Sequence, residues 1–147
     1  MTSADWAELI QNSPKHEAFF DKRKVWKLID PWEWVDLLTE HPQYASKCDK
    51  YRIWRHFTPE EWGDLLQFNP EFADRCDAYN GWQHFDGEVW AELLAEQPCF
   101  ESKCTQLNGW KKFDEYDWLH LGCYQVEILN RQNPNFGKTD EASPKEE

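Results

Sequence analysis

Tryptophan recurs in this chain at a fixed interval, and that interval limits what the chain can fold into. Trp6, Trp34, Trp62, Trp90 and Trp118 stand 28 residues apart, and Trp26, Trp54, Trp82 and Trp110 form a second column with the same spacing. Of the ten tryptophans only Trp32 falls off both columns. A period of this length marks a tandem-repeat architecture, in which each repeat buries its apolar face against the next.

Other columns keep the same time when the first Trp is taken as position 1. Leu9, Leu37, Leu65, Leu93 and Leu121 fill position 4, and Ile10, Leu38, Leu66 and Leu94 fill position 5. Pro14, Pro42, Pro70 and Pro98 fill position 9; His16, Tyr44, Phe72 and Phe100 fill position 11. Phe20, Cys48, Cys76 and Cys104 fill position 15, and Ile29, Phe57, Phe85 and Phe113 fill position 24. Four repeats therefore run 6–33, 34–61, 62–89 and 90–117, and a fifth begins at Trp118.

Positions 1, 4 and 5 share one face of a helix. Asp30-Pro31-Trp32-Glu33 and Thr58-Pro59-Glu60-Glu61 read as capping boxes with Pro at the first helical position, and Asp86 and Asp114 occupy the same cap position. The Pro at position 9 ends that helix and opens a second, short one, with Ser13-Pro14 and Asn69-Pro70 as cap pairs. Trp and Phe at positions 21 and 24 belong to a third short segment, which the Asn80-Gly81 and Asn108-Gly109 turns precede. Helices this short are marginal alone and must pack on neighbouring repeats. The expected fold is all-α: a right-handed α-solenoid of four 28-residue helical repeats over residues 1–131, spaced by about 10 Å, closed by one longer capping helix over 118–131. The polar stretch 132–147 is expected to be a disordered tail.

The chain has 147 residues and carries 16 Lys and Arg against 28 Asp and Glu, a net charge of −12. Such acidity disfavours direct nucleic-acid binding and favours a protein partner with a basic surface, such as a site that normally holds nucleic acid. An aromatic content of 16% argues against intrinsic disorder. No run of 18 apolar residues suggests a membrane span, and Met1-Thr2-Ser3-Ala4-Asp5 does not read as a secretory leader. Five cysteines, an odd number without a CxxC pair, fit a reduced, cytoplasmic setting.

The pattern W-x2-L-L-x3-P-x-F-x3-C-D, seen in Trp62-Gly-Asp-Leu65-Leu66, Pro70-Glu-Phe72 and Cys76-Asp77, resembles a short tandem repeat of bacterial and phage proteins. The resemblance covers residues 6–130 and implies a repeat fold. No activity is assigned to that repeat, so it transfers no functional residue. In size and charge the chain also resembles phage-encoded inhibitors of bacterial nucleases, including anti-CRISPR proteins.

No enzyme is expected. The sequence has no P-loop, GxGxxG, GxSxG or HExxH, and hence no cofactor motif. Sulfurs in the Cys48, Cys76 and Cys104 column would stand one repeat apart, too far to share a metal, and read as core residues; Cys99 reads as exposed. The Trp columns read as core, and Trp32 as the aromatic available to a partner. The informative surface is charge in columns. Glu8, Asp36, Asp64 and Glu92 fill position 3, and Glu33, Glu61 and Asp117 fill position 28, with Val89 interrupting. Asp21, Asp49 and Asp77 fill position 16, opposed by Lys47, Arg75 and Lys103 at position 14 and by Lys27, Arg55 and Lys111 at position 22. These charges read either as a solvated face with salt bridges inside each repeat or as a negative stripe. On the second reading, positions 3 and 28 together with Trp32 dock a basic protein. The special case is a mimic of nucleic-acid charge that blocks a nuclease or CRISPR effector.

Overall fold

The computed structural model describes residues 1–137. The fold is all-α, with no strand among the described residues. Each repeat contributes a ten-residue helix: α1 (Ser3–Asn12), α3 (Pro31–Glu40), α5 (Pro59–Phe68), α7 (Gly87–Glu96) and α9 (Glu115–Tyr124). A shorter helix follows each: α2 (Glu17–Lys22), α4 (Ala45–Tyr51), α6 (Ala73–Ala78), α8 (Glu101–Gln106) and α10 (Val126–Gln132). The position-9 prolines open a 3-10 turn, as at Pro42–Tyr44, that passes into the short helix. The third segment, such as Ile53–His56, is also 3-10.

The chain divides into two compact units, one from Met1 to Trp82 and one beginning at Gln83. In the first unit α1 packs on α3 and α3 on α5; in the second α7 packs on α9. Position-1 indoles Trp34, Trp62 and Trp90 are buried, as are Trp26, Trp54 and Trp82 at position 21. The position-21 ring of one repeat stacks on the position-1 ring of the next, with centroids 6.0 Å apart for Trp26–Trp34, 5.5 Å for Trp54–Trp62 and 5.7 Å for Trp110–Trp118. The Trp columns are thus core, and they join repeats. Outer repeats are less covered: Trp6 and Trp118 are half-buried and Leu9 is exposed, although it belongs to the leucine column.

The position-21 indole has a second partner. Its Nε1–H donates to Asp21 from Trp26, to Asp49 from Trp54 and to Asp77 from Trp82, at 2.6–2.7 Å, and to Thr105 from Trp110 at 2.8 Å. Two of these carboxylates, Asp21 and Asp49, also receive the position-14 cation of the following repeat. Lys47 bridges to Asp21 and Glu17, and Arg75 holds Asp49 with two hydrogen bonds, at 2.9 and 3.3 Å. Where Thr105 replaces Asp, Arg131 takes Glu101 instead. These salt bridges run between repeats rather than inside them, because stacking brings residues about one period apart into contact. The Arg75 guanidinium holds the Asp49 carboxyl below its ordinary range, and Arg131 does the same for Glu101.

Three further expectations need correction. The closing segment is two helices, not one: the chain breaks at Gln125, whose φ of −136° and ψ of 68° match the break at Asn69, at −137° and 71°. Val126 is not Pro, so the break is held by a tertiary contact: Gln125 Nε2 donates to the Ala95 carbonyl, as Asn69 Nδ2 donates to Thr39 Oγ1. Ser13 and Asn69 give no side-chain cap to the turns they precede. Asp30 makes no cap bond either, so Glu33 belongs to no capping box; the Asp30 N–H instead donates to Ser3 Oγ at 2.7 Å.

The residue before each third segment is left-handed: Lys24, Arg52, Asn80 and Asn108 have φ of 53–60°. Asn tolerates this region; Lys and Arg are strained there. At Gly81 and Gly109 an added Cβ would lie 2.7 Å from the nearest atoms of Trp62 and Trp90, so glycine admits the indole. Cys48, Cys76 and Cys104 are buried and unbridged, and burial pushes the Cys104 thiol up to about 12. Cys99 and Cys123 are exposed. Gln132 ends α10 and donates to Glu101, so the expected tail begins in helix; residues 138–147 lie outside the described residues.

Candidate functional site

Five of the helices begin in the N-cap geometry that places carboxylates around their first turns. Thr58 and Glu61 form a reciprocal capping box at α5, and Asp114 and Asp117 form one at α9. At α7, Asp86 accepts from the Val89 N–H at 2.9 Å. Acidic groups suit these positions because the helix dipole is positive there.

In the second unit the first turns of α7 and α9 enclose a hollow of about 670 Å³. Asp86, Glu88, Glu92, Asp114 and Asp117 line it, with Tyr116 and His120 beside them. Gly87 permits the approach of the two helices: a Cβ there would strike the Asp117 carboxylate and the Lys112 carbonyl. Lys112, the one Lys or Arg in the lining, donates to the Phe85 carbonyl at 2.8 Å. Burial, with Asp114 and Asp86 nearby, holds the Asp117 carboxyl above its ordinary range despite the Asp114 N–H it accepts. Tyr116 is 79% exposed. Clustered carboxylates beside an exposed aromatic ring can receive a guanidinium or ammonium through charge-assisted hydrogen bonds and a cation–π contact.

Of the anticipated docking residues, the hollow gathers Glu92 and Asp117. In the first unit Asp36 and Asp64 are exposed on the packed helices α3 and α5, and Asp64 is raised by burial and then by Glu61, Glu60 and Asp36. Glu61 is engaged in its capping box, accepting the Thr58 N–H at 2.9 Å. Glu8 is exposed on α1, and Glu33 is half-buried in the first turn of α3. Trp32 is 58% exposed, as expected of it.

Asp86, Glu88, Asp114 and Tyr116 were not among the anticipated docking residues. The signal for Tyr116 is in the columns: it stands at position 27, as does Trp32, with Glu60 and Glu88 in the repeats between. Each unit thus carries one exposed aromatic and one exposed carboxylate at this position.

Among the described residues no three His, Cys, Asp or Glu side chains are placed to hold a metal ion, and no helix is long and apolar enough to cross a membrane. Comparison with protein-family models, with curated proteins and with solved structures finds no match.

Proposed function

We propose that the protein is a non-catalytic repeat module that docks a basic protein partner through its acidic surface. The observation that carries this reading is the hollow between α7 and α9, with its carboxylates and the exposed Tyr116 ring. An Arg side chain suits it best, because a planar guanidinium can pair with carboxylates and stack on an aromatic face at once.

The test is binding of an immobilised hexa-arginine peptide at low and moderate salt. Glu88→Lys/Glu92→Lys should weaken binding at least tenfold, while Asp74→Lys/Glu96→Lys, elsewhere on the surface, should weaken it far less. Equal loss in both variants would reduce the effect to net charge and sink the docking site. A narrower form of the reading makes the protein a stand-in for nucleic-acid charge in a nuclease or CRISPR effector. The exposure of Asp36 and Asp64 on the packed helices α3 and α5 favours it. On that form Asp36→Lys/Asp64→Lys abolishes inhibition, and affinity falls steeply with salt.

A further inference from the structure

Two sets of basic side chains in the first unit differ in their partners. Lys47 and Arg75 at position 14 are consumed by carboxylates of the preceding repeat. The side chains of Lys27, Arg55 and His56 are exposed and make no ion pair or hydrogen bond among the described residues. All three line one hollow of about 450 Å³, whose walls include Ile29, Pro31 and Ile53. That volume falls within the range of small-ligand sites.

The same hollow lies at the start of α3, the one ten-residue helix among the described residues whose N-cap side chain is not bonded to its first turn. Unpaired cations beside an uncapped helix start make an environment that favours a compact anion. Arg55 offers a planar fork of donors suited to a phosphate, and Lys27 adds a point charge. Asp30 is the one carboxylate in the lining. A hydroxyl on the carbon body of a phosphate ester can donate to it while the phosphate stays on Lys27 and Arg55. The apolar walls then cover carbon.

We infer that this hollow binds a small phosphate monoester of a hydroxylated carbon body, a sugar phosphate or a mononucleotide. The site is separate from the acidic hollow of the second unit and does not depend on that hollow's role.

Calorimetric titration of the full chain with ribose 5-phosphate, adenosine 5′-monophosphate, inorganic phosphate and ribose tests the assignment. Ribose 5-phosphate, or the nucleotide, should bind more tightly than inorganic phosphate, and ribose should give no heat. The tighter of the two esters tells a sugar phosphate from a nucleotide. Arg55→Gln should weaken the ester about tenfold or more, and Lys27→Gln severalfold. Lys111→Gln, at the same repeat position in the other unit, should change nothing. Asp30→Asn should narrow the preference for the ester over inorganic phosphate. Circular dichroism checks folding, and Lys27→Gln/His56→Gln replaces any variant that fails it. No ester binding at millimolar concentration overturns the proposal, as does equal weakening by Arg55→Gln and Lys111→Gln.

Discussion

Two hollows occupy overlapping places in the repeat and carry opposite charge. The one in the first unit takes Asp30 and Pro31 from positions 25 and 26 and adds Lys27, Arg55 and His56; the one in the second takes Asp86 and Gly87 from those positions and adds Glu88, Asp114 and Asp117. The columns that build the fold are the same in both. The sign follows from which residues each hollow gathers: Lys27 and Arg55 at position 22 in the first, and Glu88, Glu92 and Asp117 at positions 27, 3 and 28 in the second. A repeat protein can in this way vary its surface chemistry without touching its core.

The comparison breaks first at the core. Trp62 is 2% exposed and stacks on Trp54. Trp62→Ala should destabilise the chain by about 3–5 kcal/mol in denaturant melts. An unchanged melt would show the Trp columns to be surface, and the division between structural columns and variable hollows would fail. Gly87→Ala comes next. It forces the Asp117 carboxylate and the Lys112 backbone aside and should cost about 1–3 kcal/mol. It should also weaken arginine-peptide binding while leaving ribose 5-phosphate binding intact. Asp49→Ala removes the acceptor of the Trp54 indole and the partner of Arg75, for about 1–2 kcal/mol after allowance for its solvent exposure. The smallest effect has the opposite sign: Arg52→Asn relieves a left-handed residue and should stabilise by roughly 1 kcal/mol.

Acid sharpens the contrast. Asp49 and Glu101, lowered in the fold by Arg75 and Arg131, contribute stability that is present above the unfolded carboxyl range near pH 4 and is lost as pH falls through their lowered values. Asp64 and Asp117, raised chiefly by burial, act oppositely: their charged forms oppose folding, and the opposition is relieved as pH falls through their raised values. Carboxyl-carbon NMR titration should therefore place Asp64 and Asp117 above Asp49. A common midpoint would erase the distinction.

Much of the fold was legible because the period exposes which residues must face inward. The buried tryptophans, the Pro-opened turns and the buried cysteines all follow from column position. Legibility ended where a contact spans repeats. The break at Gln125 is invisible to local propensity, since Val126 does not interrupt a helix; it depends on a bond to Ala95. Asp30 has the local signature of a cap, yet its side chain makes no such bond. The acidic columns were partly legible: Glu92 and Asp117 do share a hollow, but the close approach of its two helices needs Gly87, whose importance only the packed helices reveal.

The shared carboxylate at position 16 has a consequence for the length of the array. Residues 34–61 carry Lys47 to clasp the repeat before and Asp49 to receive the cation of the repeat after. A duplicated copy of this segment would bring complementary halves to both of its junctions. Such a cassette could be inserted or removed as one piece without new chemistry. After the fourth repeat the rule changes, because Thr105 stands where Asp would be and Arg131 turns to Glu101. Growth by duplication is therefore easiest inside the first unit, and the last junction acts as a terminator written in side chains.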